Sequence, residues 1–264
     1  MRHPAFAPAW FAAGLLAFAA AARGGFESAP SLAWNAAATS TGLICWAVAG
    51  ASLSAGSVAR RLGWIGSGLS PVILCGLVLG MLATSQVAEW LIALAGYEHT
   101  GNLAEFRRTL TAVGGRDLVV ALFGIALLPG FAEELALRGF VQRGLEARVG
   151  ALAAVVATSL IFALLHGEPV HAAGAFLLGL YLGSIVALCG SIRPAVLCHV
   201  LNNAAATLGT AFDVQALGIL LVAAGLVAGP WALWRTALQA RSAHPPLGGT
   251  PESLPPMDPP SGHS

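Results

Sequence analysis

Charged residues are scarce in this chain. They make up 9% of its 264 residues, whereas a soluble domain carries about 25%. Lysine is absent, so every basic residue is an arginine, and the formal net charge is only +1. With 57% hydrophobic residues, the composition argues against a soluble domain and gives no sign of a nucleic-acid partner. It predicts a polytopic membrane protein.

Cysteine is also rare, and its spacing excludes two classes of site. The four cysteines each lie in an apolar run, and no two form a Cys-x-x-Cys pair; they are Cys45, Cys75, Cys189 and Cys198. This pattern fits neither a disulfide framework nor a thiolate metal site. We interpret them as small core residues.

Apolar segments predict an all-α fold, a polytopic transmembrane helix bundle of about eight spans. The segments are residues 5–22, 36–53, 70–95, 117–145, 151–166, 172–189, 195–210 and 213–235. The first segment also resembles a cleavable signal peptide, but an uncleaved span fits better because the rest of the chain is equally hydrophobic. The polar stretch 96–116 is interpreted as an interfacial helix.

The predicted spans group into three regions. Residues 1–116 form N-terminal transmembrane helices without motif residues, and residues 117–240 form the membrane domain that carries the motifs described below. Residues 241–264 contain seven prolines and are predicted to be a disordered tail. Eight spans with both termini in the cytoplasm place nine arginines inside and four outside, which agrees with the positive-inside rule.

The stretch from Pro129 to Gly139 contains two carboxylates and a guanidinium, which are costly inside a membrane. Glu134 and Arg138 are four residues apart and share a helix face. Glu133 is rotated by about 100° and has no such partner on its own helix. Desolvation raises the pKa of an unpaired carboxylate, as a general base working near neutral pH requires. The alternative is a purely structural Glu–Arg pair.

Two further polar groups lie on later segments. Phe162 and His166 share one face of a helix, and so do His199 and Asn203, whereas Asn202 is turned away. Polar groups inside a membrane usually face one another. These side chains could therefore supply a base, a proton carrier and oxyanion donors, or could ligate a divalent metal. His171 is the weaker candidate because Pro169 interrupts the helix after His166.

A shared site meets one geometric difficulty. His166 lies about 22 Å from the start of its segment at about 1.5 Å per residue. Glu133 and His199 lie nearer the cytoplasmic side of the simple topology. A common site therefore requires the fifth segment to start outside the bilayer, to tilt or to bend.

The three motifs, in this order, resemble those of the CAAX protease and bacteriocin-processing family of intramembrane endopeptidases, which includes the type II CAAX prenyl endopeptidases. They are Glu-Glu-x-x-x-Arg (Glu133, Glu134, Arg138), Phe-x-x-x-His (Phe162, His166) and His-x-x-x-Asn (His199, Asn203). The resemblance implies that residues 117–240 are a catalytic membrane domain. Within it, Glu133 and His166 would together activate water. The oxyanion would be stabilised by His199 and Asn203, and the site would be held together by Glu134 and Arg138.

The resemblance implies a membrane-associated peptide or protein as substrate, in the lipid bilayer of a bacterial inner (plasma) membrane. A prenylated CAAX protein, a bacteriocin leader and an unrelated membrane peptide all remain candidates. No cofactor is required by a glutamate mechanism, and zinc is the alternative. Two other functions stay open: a catalytically silent partner or bacteriocin-immunity factor, and a proton-coupled transporter.

Overall fold

The structure, a computed structural model, describes residues 28–53, 56–213 and 218–243. These residues form helices and no strands, in agreement with the predicted all-α fold. In chain order, the helices are α1 (Ala29–Ser52), α2 (Val58–Arg61), α3 (Pro71–Leu94), α4 (Gly101–Leu110), α5 (Gly115–Val149), α6 (Ala151–Leu165), α7 (Pro169–Cys189), α8 (Arg193–Phe212) and α9 (Gly218–Ala243).

Six of the described helices, α1, α3, α5, α7, α8 and α9, are long and apolar enough to cross a membrane. Helix α6 is shorter: its 15 residues span about 22 Å, against about 30 Å for a hydrocarbon core. The predicted first span, residues 5–22, lies outside the described residues, as does nearly all of the predicted tail. The chain is a helical membrane protein, but the count of about eight spans is not confirmed.

Several helices start with a proline in the first turn, where its missing N–H costs nothing. Ser28 and Ser31 form a capping box at the start of α1, and Ser70 caps α3 by accepting a hydrogen bond from Ile73 N. At α7 the capping residue is Glu168, followed by Pro169. These local signals explain why α3 and α7 begin within three residues of the predicted segments. Helix α1 begins at Ala29, seven residues before the predicted start at residue 36, because the capping box at Ser28 starts the helix earlier than the apolar run.

Helix α5 is the most buried of the six long helices: 44% of the residues in its apolar 18-residue stretch are buried in the protein. It runs past Pro129, as the sequence predicted, by widening into a π-helical segment over Leu122–Leu127 just before the proline. A second π-helical segment covers Glu134–Gln142. Such segments often occur at functional sites, and this one carries the buried charges.

Glycines bring α5 close to its neighbours. A Cβ on Gly130 would lie 2.9 Å from Val200 Cγ2 and 3.0 Å from Val200 N, so only glycine permits the observed distance between α5 and α8. Val200 follows His199 in the chain. The close approach at Gly130 therefore brings the polar residues of α5 and α8 together.

The position of α6 relative to α5 explains how His166 comes to the same level as Glu133. Arg143 Nη1 donates to Gly190 O at 2.7 Å, which places Arg143 level with the turn before α8. Helix α5 continues to Val149, about 9 Å further, before α6 begins. Helix α6 then runs back about 22 Å to His166, which therefore lies about 13 Å from the level of Arg143. Glu133 lies roughly 15 Å from the same level along α5, so the two residues are at a similar depth. The fifth segment thus starts beyond the level of that turn, and this offset brings His166 and Glu133 to a similar level along the helices.

Reporter fusions after Arg61 and after Arg241 test whether α6 crosses the membrane. Each crossing changes the side on which the chain emerges, and five long helices plus α6 lie between the two points. From the distribution of arginines we expect both reporters to be cytoplasmic. Reporters on opposite sides would show that α6 does not cross.

Alanine substitution at Gly130 tests the contact between α5 and α8. Overpacking of this kind costs about 1–3 kcal/mol, so Gly130→Ala should lower the midpoint of thermal unfolding in detergent. Gly144→Ala is the matched control on the same helix, because its Cβ would meet nothing within 4 Å and should stabilise by about 0.4–1 kcal/mol. Equal unfolding midpoints for the two variants would show that α5 and α8 can move apart at Gly130 without loss of stability.

Candidate active site

The carboxylate of Glu134 is the centre of the polar cluster. Its Oε1 accepts one hydrogen bond from Arg138 Nη1 at 2.8 Å and another from His199 Nδ1 at 3.0 Å. The side chains of Glu134 and Arg138 are both fully buried. The structure thus contains the Glu134–Arg138 pair that their spacing predicted, and it adds a partner from α8.

Glu133 also faces His199. Its Oε2 lies 3.6 Å from His199 Nε2, within ion-pair distance but too far for a hydrogen bond. The Glu133 side chain is 16% exposed, whereas that of His199 is 5% exposed. The sequence correctly left Glu133 without a partner on its own helix, and the imidazole of His199 reaches both glutamates, one with each ring nitrogen.

The hydrogen bonds of His199 determine where its proton lies. A carboxylate only accepts, so Nδ1 carries the hydrogen that is donated to Glu134. In the neutral ring, Nε2 then holds a lone pair directed towards Glu133. A favourable contact between Nε2 and a carboxylate requires one more proton, either on the imidazole or on Glu133.

Arg138 links α5 to two other helices. Its Nη2 donates to Gly179 O of α7 at 3.3 Å, and its Cζ lies 4.6 Å from the ring centroid of Phe162 on α6. A guanidinium above an aromatic face gains a cation–π interaction, which is stronger away from water. The buried cation thus keeps three kinds of partner: a carboxylate, a carbonyl and a ring.

Phe162 separates the two motif histidines. Its ring meets His166 edge to face at 4.7 Å and His199 edge to face at 5.7 Å between centroids. His166 Nδ1 lies 2.8 Å from Phe162 O, and a carbonyl only accepts, so Nδ1 carries the hydrogen and Nε2 holds the lone pair. His166 is thus presented in the tautomer that can accept a proton at Nε2.

His171 lies closer to the site than the sequence indicated. Its ring centroid is 4.4 Å from that of His166. The break at Pro169 reverses the chain, so the first turn of α7 returns beside the end of α6. The signal that could have found it is Glu168-Pro169, an acidic N-cap followed by proline, which marks a helix start rather than only a helix end.

The asparagines of α8 differ from the prediction in their burial. Asn202, which the helical spacing turned away from His199, is buried, while Asn203 is only partly buried. Asn202 Nδ2 donates to Asn203 Oδ1 at 3.5 Å. This contact leaves the Nδ2 of Asn203 as the group for an oxyanion, and that role stays a prediction.

The donor atoms do not match a zinc site. Catalytic zinc usually takes three protein ligands, but Glu134 Oε1 and His199 Nδ1 bond to each other. Glu134 Oε2 is buried without a hydrogen-bond partner, which is the kind of atom a metal could use. Across the described ranges, however, no three His, Cys, Asp or Glu side chains are grouped so that they could hold a metal ion.

A cavity of about 650 Å³ lies beside the His166–His171 turn. The end of α3, the start of α4 and the first turns of α7 line it, with residues such as Ile92, Tyr97, Glu168, Val170 and Leu177. Most of this lining is apolar. The cavity therefore offers an apolar volume next to the turn that carries His166.

Comparison with known proteins matches the region of this cluster. Residues 115–205, about a third of the chain, match a family described as Rce1-like, type II CAAX prenyl endopeptidase Rce1-like. The matched residues include all the motif residues from Glu133 to Asn203, and the resemblance predicted from the three motifs is confirmed. No curated protein and no solved structure matches the chain. The match supports a peptide hydrolase.

Proposed function

We propose, from the likeness of residues 115–205 to type II CAAX prenyl endopeptidases, that the chain is an intramembrane endopeptidase. Its reaction would be hydrolysis of a peptide bond in a membrane-associated protein or peptide. The observation that carries the proposal is the contact of His199 with both glutamates. A largely buried carboxylate beside an oriented imidazole is the arrangement needed for acid–base catalysis.

Charge balance supports a shared proton in this arrangement. One guanidinium neutralises one of the two adjacent carboxylates, so the second needs a proton or a cationic partner to remain in an apolar interior. Glu133 and His199 lie close enough to share that proton.

In the proposed reaction the shared proton stays on His199, and Glu133 accepts and later returns a second proton, which comes from water. Glu133, assisted by the Nε2 lone pair of His166, takes a proton from water as the water oxygen attacks the peptide carbonyl carbon. Since Nδ1 of His199 donates to Glu134, its Nε2 can donate to the oxyanion only as an imidazolium, together with the amide of Asn203. Glu133 then returns a proton to the leaving nitrogen as the C–N bond breaks.

Glu134 and Arg138 would act as positioning residues in this scheme. Glu134 Oε1 fixes the tautomer and orientation of His199, and Arg138 neutralises Glu134 from its own helix. Phe162 covers Arg138 and keeps water from the pair. The apolar cavity beside α7 supports an approach for the membrane-embedded part of the substrate along that side.

Substitution of the two glutamates is the main test. Glu133→Gln should abolish cleavage and leave folded protein in the membrane, because its carboxylate makes no short hydrogen bond to the protein. Glu134→Gln strands Arg138 and His199 in a low-dielectric interior and should cost about 3–5 kcal/mol, so yield should fall as well. The measurement is comparative proteomics of membrane peptides, with wild type and Glu133→Gln expressed to equal levels.

A peptide that appears only with wild type identifies a cleavage site and supplies a reporter for purified enzyme. Glu98→Gln is the control substitution, since Glu98 is paired with His99 far from the cluster in the sequence and is 45% exposed. Identical peptide sets from wild type and Glu133→Gln would contradict the proposal and favour a catalytically silent partner.

We propose further that the reaction needs no metal. The protein would be purified in detergent and treated with a strong chelator, and bound zinc and reporter cleavage would be measured on the same sample. Turnover should survive chelation because Glu133 and His166 can activate water unaided. Loss of turnover together with stoichiometric zinc, reversed only by adding zinc back, would overturn this mechanism.

A further inference from the structure

The first turn of α7 holds a histidine, His171, that the proposed reaction does not use. We propose that His171 is a positioning residue for His166, and that Glu168 holds His171 in place. This inference rests on the proposed function for its effect on turnover, but the contact itself can be tested separately.

The ring of His166 is held on two sides. Phe162 meets it edge to face at 4.7 Å and an interplanar angle of 87°, and His171 meets it at 4.4 Å and 66°. The bond from Nδ1 to Phe162 O fixes rotation about the ring. The contact with His171 adds a second restraint on the ring, and without it the direction of the Nε2 lone pair depends on the single bond to Phe162 O.

The position of His171 depends on the start of α7. Glu168 Oε1 accepts from Val170 N at 2.9 Å, and Glu168 Oε2 accepts from His171 N at 3.0 Å. Both oxygens of one carboxylate are thus used to hold the first turn. Gly167, with φ of 71°, supplies the left-handed residue that reverses the chain before this cap.

Helix α4 supports the cap from the other side. A Cβ on Gly101 would lie 2.9 Å from the carboxyl carbon of Glu168, so the start of α4 lies directly against this side chain. Contacts therefore run from α4 through Glu168 and His171 to His166. Reversal of the chain alone does not require both oxygens of Glu168 to accept hydrogen bonds, or Gly101 to lie against Glu168. A role in holding His171 against His166 accounts for both features.

Chemical modification tests the contact without any substrate. Diethyl pyrocarbonate modifies accessible imidazole nitrogens, and mass spectrometry of a digest reports the rate for His166, with His199 as an internal reference. We expect His171→Ala to raise the rate at His166 several-fold and to leave His199 unchanged. His171→Phe, which keeps a flat ring, should return the rate towards that of wild type, and Glu168→Ala should raise it in the same direction as His171→Ala.

Turnover of the reporter peptide is the second measurement. A misplaced catalytic group can cost up to about 100-fold, so His171→Ala should lower kcat by about 10- to 100-fold with KM little changed. His171→Phe should recover most of kcat. Arg148→Ala is the control, because Arg148 lies exposed at the end of α5 and its substitution should alter neither measurement. If His171→Ala is recovered unfolded, His171→Leu takes its place.

The two measurements separate the two proposals. An unchanged labelling rate in His171→Ala would overturn the contact, whatever the activity. A His171→Phe variant that is protected from labelling but inactive would overturn the positioning role, since the ring nitrogens of His171 would then be needed. Wild-type protein that labels as expected but cleaves nothing would overturn the endopeptidase and leave the contact standing.

Discussion

The buried carboxylate of Glu134 is the interaction on which the site depends. Desolvation of a carboxylate costs several kcal/mol, which only well-placed donors offset. Its Oε1 receives two, from a guanidinium on its own helix and from an imidazole on α8. Each donor imposes a condition: Arg138 must stay on the face of Glu134, and α8 must come close to α5. The close approach at Gly130 meets the second condition, so packing and electrostatics specify the same arrangement.

Hydrogen bonds between α5 and α7 keep Arg138 on the face of Glu134, which is the first condition. Such bonds matter here because the hydrophobic effect contributes little to contacts between helices in lipid. Arg138 Nη2 donates to Gly179 O and Gln142 Nε2 donates to Gly183 O. Two donors four residues apart on the π-helical segment thus bond to two carbonyls four residues apart on α7. Both acceptors are glycines in close contact with other helices: a Cβ on Gly179 would lie 3.0 Å from Ser159 Cβ, and a Cβ on Gly183 would lie 3.0 Å from Gln142 Oε1. The same bonds set the register of α5 and hold Arg138 towards the interior.

Much of this arrangement could be predicted from the sequence where the cause is local. Apolar runs located α3, α5, α7 and α8 because a membrane helix must be continuously apolar, and the Glu134–Arg138 pair followed from helical spacing. Contacts between helices could not be derived in this way. Spacing alone does not show that His199 meets both glutamates, that Asn202 rather than Asn203 is the more buried amide, or that the chain returns His171 to His166. The π-helical segment was also missed, since periodicity assumes a regular helix.

The difference between Glu133 and Glu134 shows how a shift of one position along a helix changes the environment of a side chain. The α-helical geometry ends at Glu133 and the π-helical segment begins at Glu134. Glu134 is fully buried with two short hydrogen bonds on one oxygen, whereas Glu133 keeps 16% of its side chain exposed and a single contact of 3.6 Å. Short bonds thus fix the carboxylate of Glu134 in place, while the carboxylate of Glu133 is less constrained. The same residue type thus has two different environments, and the imidazole of His199 connects them because its two nitrogens face one glutamate each.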